Sequence, residues 1–101
     1  MPRSIEATLI LMAPNGDMAG DSGTLAISDE GLHWTGRRSF PIPWTHFWSW
    51  GLQEKGVFRP QIEIWVIVRG NTSFRFNCGR TGEGGEAFFE SIKTVCPMDP
   101  M

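Results

Sequence analysis

The chain has 101 residues, of which 41% are hydrophobic and five are Trp, so it has the material for one packed domain over residues 1–101 and not for two. Nine basic residues against eleven acidic ones give a formal charge of −2, which argues against nucleic acid as a partner, because phosphate neutralisation needs a clustered basic surplus. No apolar run approaches the roughly 20 residues of a membrane-spanning helix, and the first residues lack the basic and apolar regions of a secretion signal.

In chain order, Ile5 to Ala13 reads as a first strand, broken by Pro14-Asn15-Gly16-Asp17, with Met18 to Ser22 as a loop of small and polar residues. Gly23 to Ser28 resumes a period of two, with Leu25 and Ile27 on one face. Asp29-Glu30-Gly31 reads as a tight hairpin turn, with Gly31 expected at positive φ, and the next strand places Leu32 and Trp34 inward. After a turn at Gly36 to Ser39 comes Phe40 to Leu52. Its even positions (Phe40, Ile42, Trp44, His46, Trp48, Trp50, Leu52) form the large face, with Phe47 the exception among small or ring-locked odd ones. Pro41 and Pro43 cannot donate ladder hydrogen bonds, so this segment should start at a sheet edge and divide into two short strands with a bend near His46. Which of its faces turns inward after the bend stays open.

Gln53 to Pro60 reads as a polar loop. Gln61 to Arg69 has the strongest strand pattern, with Ile62, Ile64, Val66 and Val68 inward. Thr72 to Cys78 follows a Gly70-Asn71 turn and points Phe74, Phe76 and Cys78 inward. Gly79 to Gly85 is a glycine-rich connection. Phe88, Phe89, Ile92, Val95 and Cys96 then make the apolar stripe of one amphipathic helix, starting at Glu83 or Glu86 and stopped by Pro97. Acids in its first turn complement the helix dipole. The expected fold is mainly β (α+β): seven antiparallel strands, strongly bent into a barrel, with the single C-terminal helix as its cap.

The run Gly23 to Trp34 (GTLAISDEGLHW), then Ile42-Pro43-Trp44, then Ile64 to Val68, then Phe74-Arg75-Phe76 and a terminal helix carrying Phe88 and Phe89 resemble pleckstrin-homology-like domains of the small bacterial and GRAM type. The resemblance covers about residues 5 to 96. It implies a bent barrel plugged by the last helix and a binding role without catalysis. Lipid-binding members carry basic residues in the loop after the first strand, whereas Asn15 to Asp21 holds two acids and no base.

Several patterns that could carry chemistry fall short. Asn15-Gly16-Asp17 with Asp21 supplies oxygens, yet Ala26 stands where a calcium loop needs its closing acid. Gly79 to Gly85 lies between a strand and a helix, but Gly85 and Glu86 stand where a phosphate loop has Lys and Ser or Thr. His33 and His46 lack Cys or carboxylate neighbours at ligand spacing, and His46 reads as a hydrogen-bonded core or boundary residue. Ser49 and Ser73 lack the context of an activated nucleophile, and Cys78 faces inward, where thiols are inert. Glu83, Glu86 and Glu90 read as a solvated helix side. The expectation is therefore no enzyme, no metal and no cofactor. Cys78 and Cys96 read as reduced cytoplasmic thiols, with a disulfide between them as the alternative.

Two surface features remain. The outer face of the strongest strand carries Glu63, Trp65, Ile67 and Arg69, an aromatic and aliphatic pair rimmed by charge, as at interface hot spots. Cover by a neighbouring loop is the alternative there. Arg37 and Arg38 in their turn, with Trp48 and Trp50 as interfacial anchors, make a candidate contact for anionic lipid or an acidic partner. The leading expectation is a cytoplasmic, non-catalytic module that binds protein, with a homo-oligomer as one form of that binding. Peripheral attachment to anionic membrane lipid is the second reading, and a small apolar ligand in the barrel mouth the third.

Overall fold

The computed structural model describes residues 3–12, 18–70 and 72–101. Within them the chain forms β1 (Ser4–Met12), β2 (Met18–Ile27), β3 (Gly31–Thr35), β4 (Ser39–Pro43), a 3-10 turn (Trp44–His46), β5 (Phe47–Lys55), β6 (Gln61–Val68), β7 (Thr72–Arg80) and the helix α1 (Gly85–Val95). All pairings are antiparallel, in the order β4-β3-β2-β1-β7-β6-β5. The expected seven strands and one C-terminal helix are present. The Asn15–Asp17 part of the candidate calcium loop and Asn71 of the last turn lie outside the described residues.

The sheet is curled. Phe40 on β4 and Phe74 on β7 have ring centroids 5.4 Å apart, although β3, β2 and β1 stand between their strands. Four flat strand spacings of about 4.8 Å would separate them by about 19 Å. Trp34 on β3 and Phe76 on β7 meet at 5.5 Å in the same way. The inner face therefore closes around its own side chains: Leu9, Leu25, Leu32, Trp34, Phe47, Trp50, Ile64, Val66 and Phe76 are all essentially without solvent exposure.

Helix α1 packs on this core through Phe88 and Ile92, both fully buried, while Phe89 rests on Trp50 at 5.1 Å. Close approach fixes its start, because a Cβ on Gly85 would stand 3.0 Å from Ile62 and 3.3 Å from Cys78. Gly84 enters the helix at φ 110°, which favours glycine. The Glu86 carboxylate accepts the Gly82 N–H, and the Cys96 N–H closes on the Ile92 carbonyl at 2.8 Å.

The segment from Phe40 to Leu52 departs from simple alternation. It divides near His46 as expected, but the 3-10 turn has about three residues per turn and resets the parity of the strand after it. His46 consequently faces solvent, contrary to the reading that put it on the apolar face, and Phe47 turns into the core. A bulge between Phe47 and Ser49 then leaves Trp48 outside and returns Trp50 inside.

Two segments read as loops are strand. Met18 to Ser22 belongs to β2, where Gly20 and Asp21 pair with Ile10 and Leu9. Gln53 to Lys55 continues β5 opposite Ile62 and Glu63. Gly31 does not take the positive φ expected of it. Its lack of a side chain instead allows β4 to approach, since a Cβ there would lie 2.2 Å from the Ile42 carbonyl oxygen.

Candidate interaction surface

The candidate residues on β6 owe their position to alternation, and their cover to the neighbouring strands. Trp65 pairs with Gly51 on one side and Arg75 on the other, and Ile67 pairs with Ser49 and Ser73. The indole of Trp65 lies over Gly51: a Cβ added there would come 2.7 Å from Trp65 Cζ2. An aromatic ring laid across a strand glycine fills the gap its missing side chain leaves. Trp65 and Ile67 are half-buried in this arrangement. With Gln53, Ser73 and Arg75 they line a shallow recess of about 240 Å³ on the outer face.

Glu63, expected as part of the exposed charged rim, is 2% exposed. Its carboxylate accepts a hydrogen bond from Gln53 Nε2 at 2.6 Å and faces Lys55 Nζ at 3.5 Å and Arg75 Nε at 3.9 Å. The acid is thus enclosed by longer polar side chains from β5 and β7, which satisfies the requirement that a buried charge be paired. It supports the face from beneath. Arg69 is exposed but belongs elsewhere, lining a recess with Phe47, Trp48 and Met98, and its N–H bonds to the His46 carbonyl at 2.9 Å.

The second candidate set is not one site. Trp50 is fully buried, its Nε1 donating to the Met98 carbonyl at 2.8 Å, so the reading of it as a surface anchor is corrected. Trp48 is 61% exposed but lines the recess beside Arg69. Arg37 and Arg38 are exposed on the β3–β4 turn and line a different recess with Asp21, Phe40 and Phe74.

The stretch Gln53 to Pro60, expected as a polar loop, carries the two most exposed large apolar side chains among the described residues. Val57 and Phe58, at the tip of the β5–β6 hairpin, are 89% and 97% exposed. The signal for them was available: Val57 and Phe58 stand between the turn formers Gly56 and Pro60 with no period of two to carry them into a core. Lys55 and Arg59 flank them.

Burial pushes the Cys78 thiol up from 9.0 to about 12. Burial likewise raises Cys96, with the nearby Asp99 charge adding and a backbone hydrogen bond at Met98 opposing. Both thiols are free, so the disulfide alternative does not apply. Among the described residues, no group of three or more His, Cys, Asp or Glu gathers as a metal site, and no helix is long and apolar enough to cross a membrane. Comparison of the chain with family models, curated proteins and solved structures finds no match in any of the three.

Proposed function

We propose that this chain is a non-catalytic, pleckstrin-homology-like interaction module that works in the cytoplasm and binds protein through its β5–β6 hairpin, with a second copy of itself as the first partner to test. One observation carries the reading. Of the large apolar side chains left exposed among the described residues, Trp48, Val57 and Phe58 all belong to that hairpin, and only Met101 does not. Exposing an isolated apolar side chain is ordinary, but three on one hairpin, Trp48 at the start of β5 and Val57 and Phe58 at the tip, with the half-buried Trp65 and Ile67 on β6, give that hairpin the composition of an interface. The sheet order and the helix packed on the inner face support the family resemblance.

The test is solution mass by light scattering across a hundredfold range of concentration, with Trp65→Asp and the pair Val57→Ser/Phe58→Ser beside the native chain. A native mass above one chain that falls to one chain in either variant supports the reading, with at least tenfold weaker association expected. A single-chain mass throughout, with a crosslinked partner profile identical in all three proteins, ends it.

Peripheral contact with anionic lipid retains Arg37, Arg38 and Trp48, all exposed, and loses Trp50. Sedimentation with phosphatidylserine vesicles at low salt, weakening as salt rises, is its required outcome.

A further inference from the structure

We infer that the recess at the β3–β4 end of the barrel binds a single-chain amphiphilic anion, an aliphatic carboxylate whose chain lies along Phe40 and Phe74 while its head stays at Arg37 and Arg38. The recess has a volume of about 370 Å³ and is floored by Leu9, Phe40 and Phe74. Phe40 and Phe74 pack together at 5.4 Å yet remain half-buried, so the inner face at this end is left incompletely covered by the chain's own described residues. At about 30 Å³ per water-sized group, that space holds on the order of a dozen heavy atoms.

The rim supplies the sign of charge. Arg37 and Arg38 are exposed, and neither forms an ion pair among the described residues. The acid that shares the recess, Asp21, offsets one of the two arginine charges, leaving the lining one positive charge in excess, and it is oriented by neutral donors: Oδ2 accepts from the Trp34 indole at 3.2 Å and from the Arg37 backbone N–H at 3.1 Å. Gly36 makes this contact possible, because a Cβ there would lie 2.4 Å from Asp21 Oδ2 and 2.8 Å from Trp34 Nε1. The carboxylate therefore pins the β3–β4 turn to β2 by its backbone and leaves the guanidinium groups to face a ligand. An apolar lining next to two arginine side chains is complementary to a chain with one anionic end. Inorganic phosphate would leave that lining uncovered, and an uncharged alcohol would leave the arginines unanswered.

The probe is decanoate, titrated below its micelle concentration into the native chain and followed by amide and aromatic NMR shifts. Acetate, decanol and decyltrimethylammonium are the controls. The expected result is saturable one-to-one binding with the largest shifts at Arg37, Arg38, Phe40 and Phe74. Decanol and acetate should bind at least tenfold more weakly, as should decanoate to the Arg37→Glu/Arg38→Glu variant, whose substitutions lie on an exposed turn. No saturable decanoate binding up to 1 mM overturns the inference. So does equal affinity for decanol or acetate, unchanged affinity in the arginine variant, or shifts centred on another recess.

Discussion

Trp48 and Trp50 are near neighbours on one strand with opposite fates, and substituting each by Ala tests the parity reset at the 3-10 turn. Trp50 has no exposure and Trp48 has 61%. A buried indole removes about 150–250 Å² from water, which at about 25 cal/mol per Å² gives ~4–6 kcal/mol as an upper bound. Buried Trp-to-Ala substitutions cost about 3–5 kcal/mol, so Trp50→Ala should cost about 4 kcal/mol. Its hydrogen bond to Met98 adds little, because that carbonyl can turn to water. Trp48→Ala should cost about 1 kcal/mol or less. In thermal unfolding of a domain this size, these become drops of about 16–32 °C and at most about 8 °C. Circular dichroism melts at matched concentration measure both. Trp50→Phe, which keeps most of the ring, should fall between them and guards against a Trp50→Ala protein that does not fold. Equal losses, or a larger loss at Trp48, would show that the alternation passes through His46 unbroken and would refute the placement of this strand.

Cys78 titrates differently in the two states, which makes stability fall at high pH. Its folded pKa of about 12 lies above the ordinary 9.0, so above pH 9 the unfolded chain loses the proton first and stability drops by about 1.4 kcal/mol per pH unit toward 12. Urea midpoints at pH 8.5 and 10.5 should show this extra loss in the native chain and not in Cys78→Ala. Gly31→Ala should cost about 2–3 kcal/mol, because the new methyl meets the backbone of β4 and no side chain can yield. Gly82→Ala, at φ 88° with nothing within 4 Å, should cost only the left-handed strain of about 1 kcal/mol, read by the same urea midpoints.

Periodicity carried the fold where one side of an element is uniformly apolar. Ile62, Ile64 and Val66, Phe76 with Cys78, and Phe88 with Ile92 occupy the core as their spacing predicts, while Val68, Phe74, Phe89, Val95 and Cys96, expected inward with them, are half-buried against it. It failed where pairing with a neighbour outweighs local preference. Gly20, Asp21 and Ser22 have poor strand propensity, but the β1 backbone opposite them supplies a ladder, and Asp21 gains the Trp34 and Arg37 donors. Gln53 and Lys55 look like loop residues because they are polar, yet their polarity serves Glu63 across the strand pair. Neither relation can be read along one segment, because each depends on which strand lies alongside.

The same limit governs the candidate surface, and the tryptophans show a physical rule for it. Five are more than a core of this size ordinarily buries, so alternation identifies a surplus without saying which members form it. Burial of an indole requires a partner for its N–H. Trp34 has Asp21, Trp44 has the Asp29 carbonyl and Trp50 has the Met98 carbonyl, and these bonds tie β3 to β2, the 3-10 turn to the β2–β3 loop, and β5 to the tail after the helix. Those three are fasteners of the barrel. Trp48 and Trp65 have no such bond to another described residue, and one is exposed while the other lies flat over Gly51. An indole with no such bond among the described residues and a face toward solvent has both a polar and an apolar contact to offer. This places the surplus on β5 and β6, the hairpin whose tip carries Val57 and Phe58, and makes that hairpin the part of the molecule whose composition its own fold does not explain.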